Sequence, residues 1–418
     1  MGEPIRATFL IETPYSLTQA VDKLVSEQTI GSFVDVPGEA ALRDRFRGRV
    51  ELQEALPPGD HPSLTGPYCG DEPVQRARVV LSYPGELIAD DLFTLLAVVL
   101  GNGCEIKEIS GLRLLDLDVP KSLSDACPRP QFGVEGTRRL AGVVDRPIIG
   151  SIIKPSVGLT PEQTASMVQE LAEAGIDFVK DDELITSPDN SPLEKRVKAV
   201  MRVINDHAER TGKKVMFAFN ISHDHLETML RNHDTVLEAG GTCVMLSLHQ
   251  LGYAGVMKVR RHSQLPILGH RNGWGLFTRA PLLGMDFQAY QKIWRLIGVD
   301  HLQVNAIRNK FWEPDESVVR SIKAMLTPDL DGHRALPALS SGQWGGQAPD
   351  TYKFTQTVDL LYMAGGGIQG HPAGPAAGVR AIQQAWEAAV QAIPLETYAA
   401  THQELAGAIE RFGKRENA

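Results

Sequence analysis

One short segment of the chain carries side chains that can bind a metal ion. Residues 177–183 read Asp-Phe-Val-Lys-Asp-Asp-Glu, which places Lys180, Asp182 and Glu183 at the end of an apolar strand. Burial lowers the pKa of a lysine, and its neutral amine can then react with carbon dioxide to form an anionic carbamate. A carbamate and two carboxylates could bind an octahedral Mg2+ and leave positions for water and substrate. Such a segment is more often an exposed run of charged residues than a metal site, so the rest of the chain must decide between these two interpretations.

The second part of the chain has the pattern of a closed barrel of parallel strands. From Pro147, short apolar strands alternate with helical patterns such as Pro161–Ala174 and Pro375–Ala392. Thr160 is predicted to cap the first of these helices, and Gln163 completes a capping box. Eight strand–helix units over about 250 residues predict a (β/α)8 barrel, with a doubly wound sheet as the alternative. The predicted strands are Ile148–Lys154, Phe178–Glu183, Val215–Asn220, Cys243–Leu248, Pro266–His270, His301–Asn305, Leu336–Ser340 and Leu360–Ala364.

The first part of the chain predicts a smaller domain over residues 1–125. Its elements follow the order strand, helix, strand, strand, helix, strand, which is the ferredoxin-like α+β pattern. The strands are predicted at Ala7–Thr13, Arg49–Ala55, Arg78–Tyr83 and Leu112–Val119, and the helices at Ser16–Ser26 and Ala89–Leu100. Pro120–Gly136 is typical of a linker, and the barrel domain then covers residues 137–418, with Leu395–Arg411 as one more helix outside the barrel. The predicted fold class is therefore α/β.

The carboxyl ends of the strands are where a (β/α)8 barrel has its active site. In this chain, the glycine runs after strands seven and eight contain Gly342, Gly365 and Gly366. Glycine lets backbone N–H groups turn towards an anion, so these runs favour a phosphate site. Arg271 and Ser340 could form a second pocket for a carboxylate or another phosphate.

Four further side chains at these strand ends are candidates for catalysis or substrate binding. Lys154 could transfer a proton and Lys310 could hold a negative charge, although either could instead be a surface lysine. Gln303 ends strand six, where it is expected to contact the substrate. His270 ends strand five, and a hydrogen-bonded structural histidine is the commoner case for such a residue.

The composition limits the kinds of partner and the compartment. The net charge is -9 and no basic stripe is interleaved with aromatic residues, which argues against a nucleic-acid partner. The longest apolar run, Leu92–Leu100, is far shorter than the roughly 20 residues that cross a bilayer, and the amino terminus has no signal-peptide pattern. The four cysteines are widely spaced and predict reduced thiols. We therefore expect a cytoplasmic protein that binds a small anionic molecule and no membrane.

Four motifs resemble those of the RuBisCO large-chain superfamily, in the same order and at the same spacing. They are Gly-Ser-Ile-Ile-Lys-Pro-Ser-Val-Gly-Leu, Phe-Val-Lys-Asp-Asp-Glu, Gly-His-Arg and Gly-Gly-Gly-Ile-Gln-Gly-His-Pro, and the resemblance covers nearly the whole chain. It implies that Lys180 is carbamylated and binds Mg2+ together with Asp182 and Glu183. It also implies that Lys154 is an acid/base lysine and that Lys310 belongs to a mobile loop.

The resemblance further implies anion pockets and an active site that is shared between subunits. Arg271 and Ser340 match one anion pocket, while the phosphate pocket is matched by Gly342, Gly365 and Gly366. The positions that match contacts to a neighbouring subunit's site are Glu27, Ser32, Phe33 and Asn102. The resemblance therefore implies at least a homodimer.

Four positions depart from the pattern of the carboxylases in this superfamily. Ser156 stands in place of a second lysine and Ile152 in place of a threonine; Trp274 and Gln303 each stand in place of a histidine. The resemblance implies that carboxylation needs those groups for carbon dioxide addition, hydration and cleavage. We therefore expect a RuBisCO-like protein of form IV that does not fix carbon dioxide on ribulose bisphosphate.

The retained groups suit reactions that pass through an enolate or enediolate. The leading hypothesis is decarboxylation of a 3-oxo sugar-acid phosphate, as in the RuBisCO-like group that acts on 3-oxo-isoapionate 4-phosphate, because this chain keeps Lys154, Asn102 and Lys310. The second hypothesis is an enolase or isomerase for a methylthio-ketose phosphate, although those proteins lack the lysine at position 154. The third is a protein that binds a sugar phosphate without catalysis, against which Lys154 and the metal-binding residues argue.

Overall fold

The chain forms two compact units. The computed structural model describes residues 3–31, 37–67, 73–329 and 332–413. The first unit contains residues 1–127 and 273–296, and the second contains residues 128–272 and 297–418. Residues 273–296 follow the fifth barrel strand in sequence, yet they belong to the first unit.

The described strands and helices are numbered in chain order. The strands are β1 (Ile5–Thr13), β2 (Arg49–Gly59), β3 (Val74–Tyr83), β4 (Gly111–Asp118), β5 (Ile148–Ile152), β6 (Phe178–Lys180), β7 (Met216–Asn220), β8 (Cys243–Ser247), β9 (Ile267–His270), β10 (Leu283–Met285), β11 (His301–Val304), β12 (Leu336–Leu339) and β13 (Leu361–Met363). The helices are α1 (Leu17–Glu27), α2 (Glu39–Phe46), α3 (Leu92–Leu100), α4 (Lys121–Ala126), α5 (Gly133–Ala141), α6 (Pro161–Glu173), α7 (Leu193–Thr211), α8 (Leu226–Glu238), α9 (Leu248–His262), α10 (Gly275–Thr278), α11 (Phe287–Ile297), α12 (Asp315–Leu326), α13 (Ala348–Thr355), α14 (Gly366–Gln369), α15 (Pro375–Val390), α16 (Leu395–Ala399) and α17 (Gln403–Phe412).

The first unit contains a five-stranded sheet in the order β10-β4-β1-β3-β2. β1 pairs antiparallel with β3 and β4, and β3 pairs antiparallel with β2, as the ferredoxin-like prediction requires. β10 adds a parallel edge strand, with Leu283 opposite Leu112. The sequence did not predict this strand, because three residues are too short for a periodic signal.

The second unit is a closed barrel of eight parallel strands, which confirms the predicted (β/α)8 class. The order is β5-β6-β7-β8-β9-β11-β12-β13, and β13 pairs with β5 to close the barrel. Six of the eight barrel strands end one to three residues before their predicted ends, and β7 and β9 end at the predicted residues. Lys154 and Asp182 therefore lie in the loops just beyond the strands, where backbone pairing no longer fixes their side chains to alternate faces.

The barrel interior is a packed apolar core that is closed at its amino-terminal end by α5. Val134 and Ala141 of α5 belong to the same buried cluster as Phe178, Met216 and Leu361 of the strands. The boundary between the two units, after Cys127, falls inside the predicted linker Pro120–Gly136. The segment also has helical structure that its glycines and prolines did not indicate, because it contains α4 and the start of α5.

Two helix predictions near the ends of the barrel domain had different outcomes. The capping box of α6 is confirmed, since the Thr160 side chain accepts from the Gln163 backbone N–H and the Gln163 side chain accepts from the Thr160 backbone N–H. The single helix predicted over Leu395–Arg411 is divided into α16 and α17. None of the described helices combines enough length with enough apolar character to span a membrane.

His301, at the start of β11, is expected to make the folded barrel less stable at acid pH. Its Nε2 lies 2.7 Å from Thr137 Oγ1, which donates to Gly133 O, so a neutral ring with the proton on Nε2 fits this site. Burial lowers the pKa of His301 from 6.5 to about 4, against the opposing charge of Asp300. Between these values the unfolded chain binds the extra proton, so the free energy of unfolding falls as the pH falls, by about 1.4 kcal/mol per pH unit at most. The variant H301Q should show a shallower decrease between about pH 7 and about pH 5 in urea unfolding; an unchanged decrease would contradict this assignment.

Candidate active site

One cavity of about 700 Å³ lies at the carboxyl ends of the barrel strands. The predicted site residues that line it are Lys154, Lys180, Asp182, Glu183, Gln303, Lys310, Ser340, Gly342, Gly365 and Gly366. Of the site residues predicted in the second unit, His270 and Arg271 are the two that do not line it. The volume lies in the range of small-molecule sites, and the closed barrel explains why residues so distant in sequence meet there.

Lys180 is buried at the floor of this cavity, where it is 1% exposed. Its Nζ donates to Asp181 O at 2.7 Å and lies 3.4 Å from Glu183 Oε2 and 3.7 Å from Met245 Sδ. Burial lowers the pKa of Lys180, although the carboxylates of Glu183 and Asp182 oppose this effect. A buried amine of lowered basicity, next to a carboxylate, is the chemical state that carbamate formation requires.

Asp181 is directed away from the cavity, and this direction separates the roles of three consecutive carboxylates. Its Oδ2 accepts from Arg196 Nη2 at 3.1 Å and from Asn220 N at 3.0 Å. Arg196 belongs to α7, and the side chains of both members of the pair are 1% exposed. Asp181 is held in this outer pair, whereas Asp182 lines the cavity.

His270 supports Glu183 from behind the cavity wall. His270 Nε2 lies 3.3 Å from Glu183 Oε2, which can only accept, so the neutral ring has its proton on Nε2, and Nδ1 accepts from Asn272 N at 3.2 Å. Burial lowers the pKa of His270 in spite of that carboxylate, which favours the neutral ring. The pKa of Glu183 lies well below its usual range: burial alone would raise it, but the hydrogen bond from His270 and the nearby charges outweigh burial. Glu183 is therefore an oriented carboxylate.

Lys154, in the loop after β5, contacts Asp182. Its Nζ donates to Asp182 Oδ2 and to Ser156 Oγ, both at 2.6 Å. The Lys154 side chain is 41% exposed and Asp182 only 3%, so the amine lies between the carboxylate and the open cavity. This position allows Lys154 to exchange a proton with a bound molecule.

The glycines on one side of the cavity bring Lys310 close to the backbone of the seventh-strand loop. Lys310 N donates to Ser341 O at 3.2 Å. Gly342 has a φ of +87°, and a Cβ on it would lie 3.4 Å from Lys310 Cβ. Glycine is therefore suited to this position by its backbone conformation, and the lysine stem lies at ordinary van der Waals distance from it.

Arg271 is paired with a glutamate that the sequence did not single out. Arg271 Nη2 donates to Glu313 Oε2 at 3.2 Å, and the same oxygen accepts from Asn305 Nδ2 at 2.6 Å. In front of this pair, Gln303 Nε2 donates to Ser340 Oγ at 2.8 Å, and both of these residues line the cavity. Ser340 therefore lines the cavity, whereas Arg271, its predicted partner in an anion pocket, lies behind the cavity wall.

Comparison with known proteins agrees with this geometry. Residues 133–412 match the model of the ribulose bisphosphate carboxylase large chain, catalytic domain. The chain belongs to the RuBisCO large-chain family. It is 49% identical to the 3-oxo-isoapionate-4-phosphate decarboxylase of Rhizobium rhizogenes, over 99% of this chain and 100% of that one. It is 48% identical to the 3-oxo-isoapionate-4-phosphate transcarboxylase/hydrolase of Xanthobacter autotrophicus, over 95% of this chain and 96% of that one.

Solved structures give the same result for the fold. A rubisco-like protein from Burkholderia fungorum has a TM-score of 0.92 and 42% identity, and the match covers 98% of this chain and all of that one. The dimeric archaeal Rubisco of Hyperthermus butylicus has a TM-score of 0.85 and 28% identity, over 98% of this chain and 96% of that one. The resemblance seen in the sequence is confirmed, and the chain is an enzyme of the RuBisCO-like family.

Two of the predicted contacts to a neighbouring subunit lie close together in the first unit of this RuBisCO-like chain. With the Gln28 side-chain amide turned so that its oxygen faces them, it accepts from Gly101 N at 3.3 Å and from Gly103 N at 3.1 Å. Gln28 thereby ties the end of α1, which carries the exposed Glu27, to the loop that carries the exposed Asn102. Ser32 and Phe33 lie outside the described residues.

Sequence reasoning missed several residues of the RuBisCO-like site. Arg411 and Phe412 of α17 line the cavity, as do Arg308 and Trp344, and Phe412 packs on Trp344 at 5.6 Å between ring centroids. The helical pattern of α17 was visible, but nothing in it shows that the helix ends at the barrel mouth. Glu313 gave one weak signal, a carboxylate just before Pro314, which is the N-cap residue of α12.

A separate group of possible metal ligands lies outside this cavity, on α8 and α9. His233, Asp234 and His262 have ligand atoms within 4.8 Å of one another. His233 Nε2 accepts from Gln264 N at 3.3 Å, so the neutral ring has its proton on Nδ1 and donates it to Asp234 Oδ1 at 2.9 Å. The cluster is thus held by its own hydrogen bonds, and we assign it no ligand.

Two neighbouring glycines at the cavity should respond differently to alanine. A Cβ on Gly367 would lie 2.2 Å from Gln343 O, whereas a Cβ on Gly366 would meet nothing within 4 Å. G367A should destabilise the protein by about 1–3 kcal/mol or more, because backbone would have to move. G366A should keep its melting temperature but weaken binding of inorganic phosphate, because its methyl group would project into the space assigned to the anion. Equal melting temperatures for the two variants, or unchanged phosphate binding by G366A in calorimetry, would contradict this description.

Proposed function

We propose that this protein decarboxylates a 3-oxo sugar-acid phosphate, with 3-oxo-isoapionate 4-phosphate as the substrate. The observation that carries the proposal is the position of Lys154, whose Nζ lies 2.6 Å from Asp182 Oδ2 at the open cavity. An acid/base amine can protonate a carbanion, whereas simple binding does not require one. The high identity to the decarboxylase of Rhizobium rhizogenes supports the same substrate.

The residues present fit a Mg2+ ion held through a carbamylated Lys180. The two carboxylates of Asp182 and Glu183 are the oxygen ligands that Mg2+ prefers, and Lys180 Nζ lies 3.4 Å from Glu183 Oε2. The protonated amine cannot be a ligand, so the third anionic oxygen would come from a carbamate on Lys180. When bound, the ion would polarise the ketone oxygen and stabilise the negative charge that develops on it.

The proposed reaction takes up one proton for each carbon dioxide that it releases. In a 3-oxo acid, the bond between C1 and C2 breaks, carbon dioxide leaves, and the electron pair remains as an enolate over C2, C3 and the ketone oxygen. A proton is then delivered to C2, and Lys154 Nζ is placed to supply it. The glycines at 342, 365 and 366 would orient the substrate by binding its 4-phosphate through backbone N–H groups, and Lys310 would add a positive charge.

Carboxylation of ribulose bisphosphate is not part of this proposal. Ser156 accepts from Lys154 Nζ at 2.6 Å where the family's carboxylases have a second lysine, so one cation fewer faces the cavity. Ile152 and Gln303, which replace polar or ionisable groups of those enzymes, both line the cavity. The remaining groups support a proton transfer but lack partners for hydration and cleavage.

The active form is proposed to be a homodimer with shared sites. Glu27 and Asn102 are exposed and are held on one face of the first unit by Gln28, which suits a surface that completes the site of a second copy. A solved relative, the archaeal Rubisco of Hyperthermus butylicus, is described as dimeric.

Decarboxylation can be followed directly in D2O. Protein incubated with Mg2+, bicarbonate and 3-oxo-isoapionate 4-phosphate should release carbon dioxide and give a ketose phosphate with one deuterium on the carbon that was C2 of the substrate, next to the ketone, as seen by NMR. Retention of the carboxyl carbon in an acid product would instead assign the transcarboxylase/hydrolase reaction of the Xanthobacter autotrophicus relative. No turnover of this substrate, with isomerisation of a methylthio-ketose phosphate, would replace the proposal by an isomerase.

The variant K154M separates proton transfer from binding in that assay. It keeps a side chain of similar length but has no proton to give, so turnover should fall at least about 100-fold while the affinity for substrate changes little. A matched control is K353M, because Lys353 lies on α13 and its side chain is directed over Phe354, at 5.6 Å from the ring centroid. Full turnover by K154M would show that another group delivers the proton.

The role of Lys180 can be tested without turnover. In wild-type protein, bicarbonate should strengthen Mg2+ binding measured by calorimetry, because the carbamate supplies an anionic oxygen. In K180A this bicarbonate dependence should be lost, with the folded state retained in circular dichroism. Bicarbonate-dependent Mg2+ binding that persists in K180A would contradict the carbamate.

A further inference from the structure

A buried ion pair lies one layer behind the cavity wall. Arg271 and Glu313 are each 6% exposed, and their closest atoms are 3.2 Å apart. The carboxylate of Glu313 is held from both sides, since Oε2 accepts from Asn305 Nδ2 at 2.6 Å and Oε1 accepts from Ser317 Oγ at 2.9 Å. A guanidinium with such a partner exerts a much weaker field on a third charge than an uncompensated one does.

The side of the cavity in front of this pair presents neutral groups. Ser341 lines the cavity and its Oγ donates to Asn305 Oδ1 at 2.9 Å, which links the surface to the buried pair. Gln303 and Ser340 line the same side and are hydrogen-bonded to each other. An anion here would meet hydroxyl and amide groups, with the charge of Arg271 already balanced.

The glycine side of the cavity has the opposite character. Lys310 is packed along Gly342, and a Cβ on Gly365 would lie 3.6 Å from Lys154 Cε, so both lysine stems run beside the glycines. The charge of Lys154 is paired with Asp182, so Lys310 and the glycine backbone donors give this side its positive character. This is the side to which the proposed function assigns the phosphate.

We propose that Glu313 neutralises Arg271 and thereby restricts this cavity to substrates with a single phosphate. The inference rests on the proposed function for the location of that phosphate. Glu313 is a positioning residue, because it acts through Arg271 and does not line the cavity. Its effect is on substrate selection, because the second phosphate of a ketose bisphosphate adds no binding affinity.

The neutral side also suits the loss of carbon dioxide. A carboxylate that leaves as neutral carbon dioxide loses its charge in the transition state. A cation fixed beside it would stabilise the bound substrate more than the transition state and would slow the reaction. With Arg271 balanced by Glu313, the end of the substrate away from the phosphate meets Gln303 and Ser340 instead of a net positive charge.

The test compares two ligands that differ by one phosphate. Ribulose 5-phosphate and ribulose 1,5-bisphosphate are titrated by calorimetry into the full-length protein, with Mg2+ and bicarbonate and again without them. Wild-type protein should bind the two within about threefold of each other. E313Q keeps the shape of the side chain but removes its charge, and should bind the bisphosphate at least about tenfold more tightly while its affinity for the monophosphate changes little.

Two further variants make the result specific to the ion pair. E316Q removes the same charge from an exposed position on α12 and should behave as wild type. R271Q/E313Q should lose the gain of E313Q, because the unmasked guanidinium is absent. The proposal would be overturned if wild-type protein bound the bisphosphate more than about tenfold more tightly than the monophosphate, and this result does not require E313Q to fold. It would also be overturned if E313Q folded but showed no gain in affinity for the bisphosphate. These readouts do not depend on turnover, so they are separate from a failure of the decarboxylase assignment.

Discussion

The candidate site depends on the burial of one lysine amine at the end of a barrel strand. Lys180 is removed from water, and an ammonium group in that position would be costly without compensation. Instead of water, its Nζ contacts Asp181 O, the Glu183 carboxylate and Met245 Sδ. The amine is therefore held beside a carboxylate in an environment that lowers its basicity, and the metal chemistry proposed for this family member follows from that single constraint.

The other charges of the site are arranged in layers around this lysine. Asp181 pairs with Arg196 on the outer side, which would be costly to break, by about 3–5 kcal/mol for a buried pair that loses one partner. His270 orients Glu183, and Lys154 lies against Asp182 at the open side. Each carboxylate thus has a different neighbour, and three acidic residues in a row acquire three different roles.

The two sides of the cavity differ in charge for a related reason. On one side, the stems of Lys154 and Lys310 lie beside Gly365 and Gly342, and Lys310 adds positive charge there. On the other side, the charge of Arg271 is balanced by Glu313 before it reaches the surface. A molecule with one phosphate and a carboxylate to lose is consistent with this asymmetry, and two relatives with nearly half of their residues identical are named for such a substrate.

The sequence by itself determined the eight strands, the capped helix α6 and the polar residues at the strand ends, because periodicity and capping are local and a closed parallel barrel brings its carboxyl ends together. Only the tertiary structure showed that β10 joins the first sheet, that α5 closes the barrel and that α17 reaches the cavity. The same is true of Arg271 and Glu313, which are 42 residues apart in the chain. Whether an arginine at a strand end faces a ligand or a carboxylate depends on which distant side chain is buried beside it, and no local pattern records that choice.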